Sequence, residues 1–345
     1  MDIDAIKTHL QQFFNNTPTV IIGSGLSLGE GISGMWALSQ HLNEQIPEKA
    51  EGLLLEEWEV IKNKLSEEMG LEDAMAFLKP ESELIPLIID CTAELILKDE
   101  MTVISSVLNG DKNLSLTGLI RHLTFNQDSL IIITPNYDRL IELACELAGI
   151  EIISGFINNY FCSHNPEIEL DKIVKKEFKR KLKGPSEYKL TTKKHAKIFK
   201  PHGSLDWYER EGDIIRTSFP TKYKRLIITP GTSKFRAGYQ KPFDYHREKA
   251  NNHINKATSF LIIGYGFNDE QLEVHLKKRI NDKVPTLLLV KDLSSNAKSI
   301  CEKNEHITFL CESEGKTKVR INNIESIIDG RYWSLDEFIN GVLMP

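Results

Sequence analysis

The chain has 345 residues, of which 41% are hydrophobic and 27% charged, with only 21 Gly and 13 Pro. This excludes a collagenous or wholly disordered polymer and allows one large or two modest globular domains. The net charge of −6, from 43 basic and 49 acidic residues, argues against a protein that coats nucleic acid generally. The longest apolar runs, such as 130–133 and 287–290, fall far short of the roughly 18 residues of a membrane span.

The opening MDIDAIKTHLQQFF has no basic stretch ahead of an apolar one and predicts no secretory leader. Five scattered cysteines (Cys91, Cys145, Cys162, Cys301, Cys311) with no C-x-x-C predict reduced thiols in a cytoplasmic protein. They predict neither a disulfide framework nor a zinc ribbon. Charge is unevenly spread: residues 48–100 hold fifteen acidic residues against five basic, and 172–200 hold twelve basic against Glu177 and Glu187. Solvated helical faces are the ordinary explanation of such runs. The sharper one is that the two segments meet a partner or each other.

In chain order, Ile3, Ile6, Leu10 and Phe13 recur at helical spacing and predict an amphipathic helix over the first fourteen residues. Residues 17–22 (TPTVII) read as a strand running into a glycine turn, and 34–42 as a helix. From 46 to 125 the pattern is of successive helices with no convincing strand, which predicts a helical module inserted after the first βα unit. Past residue 126 the chain alternates. Strands are predicted at 129–134 and 151–153, with a helix over 138–148 between them. The polar, Lys-rich 158–195 reads as an excursion from the core. Further short runs lie at 196–200, 226–229, 260–264, 286–290 and 308–311, with helices over 270–280 and 294–303. Apolar strands alternating with helices predict an α/β fold, with a doubly wound, mostly parallel Rossmann-like sheet. The domain reading is therefore 1–45 with 126–345, interrupted by the module at 46–125.

Four motifs stand at predicted strand ends, where open α/β sheets place their ligands. The first is Gly23-Ser24-Gly25-Leu26-Ser27-Leu28-Gly29, a turn that lets backbone approach a pyrophosphate. Its spacing is G-x-G-x-x-x-G, and no carboxylate follows at a second strand end, which makes an ordinary hydride-transfer enzyme a poor fit. The second is Thr134-Pro135-Asn136-Tyr137-Asp138, in which Asn136 and Asp138 are either ligand groups or caps of the next helix. The third is Lys200-Pro201-His202-Gly203-Ser204. Here His202 has a side chain suited to general-base work at neutral pH, or else is a structural, hydrogen-bonded histidine. The fourth is Gly264-Tyr265-Gly266-Phe267-Asn268-Asp269, a second glycine pair with Asn268 able to bond a ribose, or with Asn268 or Asp269 capping a helix. Two glycine turns, an Asn, an Asp and a His converging on one sheet edge fit a dinucleotide whose glycosidic bond is attacked.

In this order the motifs resemble those of the sirtuin superfamily: Gly23–Ser27, Gly31-Ile32-Ser33, Thr134–Asp138, His202-Gly203 and Gly264–Gly266. Residues Gly31 with Trp36 and Leu38, Thr134–Asp138, Lys200–Ser204 and Gly264–Asp269 are more similar still to the sirtuin-like domains of bacterial antiphage defence proteins. The chain departs from the protein deacylases of the superfamily in lacking two C-x-x-C pairs for zinc, and in carrying Trp36 where those enzymes have an arginine. The resemblance implies an NAD hydrolase that releases nicotinamide and ADP-ribose, with NAD as substrate, no other cofactor and no zinc. It implies catalytic roles for Asn136 (nicotinamide ribose or attacking water), Asp138 (nicotinamide carboxamide) and His202 (general base). It also implies NAD-binding roles for Gly23, Ser24, Gly25, Leu26, Ser27, Trp36, Gly264, Tyr265, Gly266 and Asn268. As to partners, it implies a homo-oligomer held in check by a separate protein, such as a HerA-type ATPase or an Argonaute-like protein. No membrane association is expected, and no recognised motif points to direct nucleic-acid binding. A catalytically silent NAD or ADP-ribose sensor and a NAD-dependent protein deacylase are the competing readings.

Overall fold

The computed structural model describes residues 2–67, 69–179, 187–231 and 240–344. Helix α1 (Ile3–Phe13) buries Ile6 and Leu10, one turn apart on one face. It leads to the fully buried strand β1 (Thr19–Ile22). Among the described residues, β1 is followed by α2 (Ser24–Glu30), α3 (Met35–Lys49), α4 (Leu53–Ser66), α5 (Leu71–Met75) and α6 (Leu84–Leu108), the first five of six helices before the next strand. A sixth, α7 (Ser115–Leu123), precedes β2 (Ser129–Ile133), after which come α8 (Leu140–Leu147) and β3 (Glu151–Ile153). Strands β4 (Phe156–Ile157) and β5 (Cys162–His164), the short α9 (Pro166–Glu169), and β6 (Val174–Lys179) with β7 (Glu187–Thr192) lead to β8 (His195–Phe199). Then come β9 (Gly203–Arg210), β10 (Asp213–Arg216) and β11 (Lys224–Ile227), followed by α10 (Phe243–Lys256) and β12 (Phe260–Ile263). The chain closes with α11 (Glu270–Asn281), β13 (Thr286–Leu289), α12 (Ser295–Lys303), β14 (Thr308–Ser313), β15 (Lys316–Ile321), β16 (Ile324–Ile328) and α13 (Leu335–Phe338).

The main sheet has nine strands in the order β16-β15-β14-β13-β12-β1-β2-β8-β3. From β14 to β3 all neighbours are parallel, while β15 and β16 pair antiparallel at one edge. Strands of a parallel sheet are covered on both faces, and successive side chains point to opposite faces. The central strands follow this rule. Val20 and Ile22, Leu261 and Ile263, and Leu287 and Leu289 feed one core, while Ile21, Ile262 and Leu288 feed the other. Helices α1, α7 and α8 contribute to the first core, and α10, α11 and α12 to the second. A third apolar cluster joins Leu38, Leu42, Trp58, Ile61, Leu84 and Ile88 of α3, α4 and α6. Farther along α6, Ala93 and Ile96 belong to the first core, so this helix ties the two clusters together.

Two sequence expectations need correction. The run at 226–229 is not part of the main sheet, because β11 belongs to a second, antiparallel sheet of order β11-β9-β10-β5-β4. The segment 158–195 is not wholly an excursion, since β5 lies in that second sheet with Cys162 buried beside Phe156 and Trp207. These strands are short and mix apolar with charged residues, as in GSLDWYER of β9, so periodicity alone does not mark them. Among the described strands, β6 and β7 alone stand apart, as a two-stranded antiparallel pair.

Among the described residues, no helix is long and apolar enough to cross a membrane. No group of three or more His, Cys, Asp and Glu side chains among them could hold a metal ion.

Candidate active site

Strand β1 lies between β12 and β2, and the loops that follow these three strands meet at their carboxyl ends. This is the switch point at which open α/β sheets form a crevice. The two glycine turns pack backbone on backbone. Gly23 N donates to Ile263 O (2.9 Å), and Gly25 N donates to Gly264 O (2.9 Å). A Cβ on Gly23 would lie 2.4 Å from Gly264 O, and one on Gly264, where φ is +59°, would lie 2.4 Å from Leu26 N. The sequence reading gives Gly23 and Gly25 to close approach of a pyrophosphate and Gly264 to the other half of a dinucleotide. In the structure, Gly23, Gly25 and Gly264 serve the contact between the turns. The N–H groups of Gly25 and Leu26 are taken by Gly264 O and Gly23 O.

Asn136 and Asp138 follow β2, and both are buried together with Ser27 of α2. Asn136 Nδ2 donates to Gly23 O (3.0 Å) and to Ser27 Oγ (2.8 Å). Because a backbone carbonyl only accepts, the amide orientation is fixed, and the side-chain oxygen is the group left to offer a ligand. Ser27 Oγ donates to Asp138 Oδ2 (2.7 Å), and Asp138 Oδ1 accepts from Leu140 N (3.2 Å). Asp138 therefore caps α8 and, through Ser27, orders Asn136. Ser27 turns inward to this network rather than standing as a separate phosphate ligand.

His202 sits in the turn between β8 and β9. The turn is sharp because Gly203 adopts φ +85°, where a Cβ would lie 2.1 Å from Leu226 O. His202 Nε2 is 2.8 Å from Asp269 Oδ2, with both side chains 8% exposed. This sets a carboxylate against the Nε2 edge of the imidazole. The same Asp269 caps α11, accepting from Leu272 N (3.3 Å), while Asp269 N donates to Glu273 Oε1 (2.8 Å). Behind the turn, fully buried Lys200 donates through Nζ to Asp138 O (2.5 Å) and pairs with Glu142 Oε1 (2.9 Å). Burial pushes the Glu142 carboxyl upward, and Lys200 opposes that. Tyr137 Oη donates to Ile228 O (2.5 Å), and burial holds its phenol protonated. Both polar loops are thus tied to one another and to the second sheet.

A cavity of about 210 Å³ is lined by Asn136, Asp138, His202, Ser27, Tyr265 and Asn268, among others. Glu72 of α5 and Thr92 and Ile96 of α6 also line it, so the helices between β1 and β2 wall the site. A second cavity of about 700 Å³ shares Ser24, Tyr265, Gly266 and Asn268 with the first. It extends along Gly25, Leu26, Gly264 and the end of β13. The structure therefore brings to one edge every site residue expected from the sequence except Trp36. That residue is 77% exposed on the first turn of α3 and does not line either cavity. Sequence reasoning assigned no catalytic role to Asp269 or Lys200, which stood inside the quoted motifs. It also assigned none to Glu72, which nothing in the sequence marks.

The family model for the SIR2-like domain matches residues 130–310. No curated protein matches. Among solved structures, one from work on the mechanism and regulation of Sir2 enzymes is similar at 11% identity and TM-score 0.45, over 99% of this chain and 98% of that one. Another, from work on sirtuin substrate affinity, has 13% identity and TM-score 0.45 over 99% and 98% of the two chains. A mutant Sir2 homologue in complex with 2'-O-acetyl ADP ribose has 13% identity and TM-score 0.46 over 99% and 97%.

Proposed function

We propose that this chain, which belongs to the SIR2-like family, is an NAD glycohydrolase that releases nicotinamide and ADP-ribose. The observation that carries the reading is the convergence of Asn136, Ser27, Asp138 and the His202–Asp269 pair on one cavity. That cavity continues into a larger cleft along the ends of β12 and β13. In this reading the nicotinamide and its ribose take the smaller cavity, and the adenosine half lies along the cleft.

The chemistry asks little of the protein beyond placement. Nicotinamide leaves as a neutral base from a cationic pyridinium, so no acid need protonate it. The barrier lies in the oxocarbenium-like ribose and in the placement of water. Asn136 Oδ1, fixed by its two donated hydrogen bonds, accepts from the attacking water or a ribose hydroxyl. His202, with Nε2 beside the Asp269 carboxylate, takes the proton as general base. Lys200 holds the Asp138 loop against the His202 turn.

Unrestrained cleavage would exhaust the NAD of its own cell. The reading therefore includes an effector role in antiphage defence, with a separate protein restraining or triggering the enzyme. The test is to incubate the purified chain with NAD, with and without an acetyl-lysine peptide, and to separate the products. Equimolar nicotinamide and ADP-ribose, independent of peptide, is the expected result. Acyl-ADP-ribose formed only with peptide would favour a deacylase, and NAD bound but left intact would favour a sensor.

A further inference from the structure

The pair β6–β7 exposes a face that water does not favour. The register places Val174 opposite Thr192, Lys176 opposite Leu190 and Phe178 opposite Tyr188. Alternation along a strand puts all six on one side. Val174, Phe178, Tyr188 and Leu190 are 44–70% exposed, and Phe178 and Tyr188 pack ring to ring at 5.5 Å. Lys175, Glu177 and Lys189 fall on the other side. An isolated two-stranded pair is at best marginally stable in water, and a contiguous apolar patch of this kind marks an interaction surface.

A second surface on the same chain matches it. On α4, Leu53, Glu56 and Val60 recur at three- and four-residue steps and form an exposed stripe. Leu53 is 77% and Val60 50% exposed. Lys64, one turn beyond Val60, lies over the ring of exposed Phe77, with Nζ 5.4 Å from the centroid. Both surfaces therefore read apolar–charged–apolar with opposite sign at the centre: Val174-Lys176-Phe178 against Leu53-Glu56-Val60. Their lengths agree, at about 13 Å for four strand steps and about 10 Å for seven helical steps. The charge of the surroundings agrees as well, since 172–200 is strongly basic and 48–100 strongly acidic.

We propose that the apolar face of β6–β7 docks on the exposed stripe of α4 in a second copy of this chain. Because two different surfaces meet, the contact is either exchanged reciprocally in a two-fold dimer or repeated head to tail in a ring or filament. It stands independently of the NAD reading, because neither surface lines the cavity beside His202.

The test is sedimentation of the full chain over a range of concentrations, with reversals at the two exposed central charges. The wild type is expected to assemble with concentration. Lys176→Glu and Glu56→Lys, each placing like charges in contact, are expected to weaken assembly by roughly tenfold or more. Mixing the two variants restores complementary pairs at both surfaces, and so does combining the reversals in one chain. Both are expected to return assembly to near the wild-type level. Phe178→Ser, which keeps the charges, is expected to weaken assembly without rescue by Glu56→Lys. A monomer at every concentration, single reversals without effect, or reversals that do not rescue one another would each overturn the proposal.

Discussion

The two sides of the candidate site are built in different ways. On the glycine side, Gly23, Gly25 and Gly264 meet through backbone atoms alone, with no room for a Cβ. On the polar side, Asn136 and Asp138 are held by side-chain hydrogen bonds through Ser27, and His202 faces the Asp269 carboxylate at 2.8 Å. The first arrangement fixes where the strand ends sit, and the second fixes what those ends can do. Changes on the glycine side should therefore be felt as lost structure, and changes on the polar side as lost chemistry in an intact fold.

The largest expected effect is that of Gly264→Ala. It forces a side chain into both a left-handed backbone and a 2.4 Å contact with Leu26 N. A loss of stability of more than about 3 kcal/mol is expected, seen as a sharp fall in Tm or loss of soluble protein. A variant that keeps both stability and turnover would remove the distinction between the two sides.

On the polar side, Ser27→Ala leaves Asn136 and Asp138 without their shared partner, at a cost of about 1–3 kcal/mol if water does not replace it. Turnover should fall by more than tenfold with Tm only modestly lower. Asp269→Asn sharpens the same point. It leaves the α11 cap able to form but no longer presents a carboxylate to His202, so turnover should fall by about tenfold or more while the circular dichroism spectrum stays unchanged. Turnover at the wild-type rate would assign Asp269 to capping alone.

A smaller effect concerns pH. His246 is fully buried, and its Nδ1 accepts from Lys200 N at the strand end that leads to His202 (3.2 Å). Burial, aided by His164 and Lys200, holds this imidazole well below its usual value of 6.5. The unfolded chain then binds the extra proton, so the contribution of His246 is complete above 6.5 and is lost as pH falls below it. Thermal unfolding followed from pH 8 to 5 should show Tm falling on the acid side, and His246→Gln should flatten that limb. The smallest effect is expected for Trp36→Ala, which changes a side chain outside both cavities and should leave NAD affinity within about twofold.

Much of the main sheet was legible because its strands are short apolar runs bounded by glycine, proline or polar residues, as at 19–22, 129–133 and 260–263. The second sheet was not, because Trp207 of β9 and Leu226 of β11 are buried by meeting Phe156 and Phe243 from distant parts of the chain, which no local pattern announces. The convergence of the four motifs followed from strand ends alone. What each residue does there did not. Ser27 reads as part of a glycine turn until its hydroxyl is seen between Asn136 and Asp138. Asp269 reads as a helix cap, and it is one, yet it also faces His202. Trp36 is the converse case, carried to the site by resemblance but left on the surface of α3 by the fold.

The central claim is that this edge of the sheet breaks the bond between nicotinamide and ribose. Its most direct test measures NAD binding and nicotinamide release together for the wild type, Asn136→Ala and His202→Ala. The account predicts NAD bound within a few-fold by all three proteins, with release at least about 100-fold lower in both variants. Release that survives either substitution at the wild-type rate would contradict it.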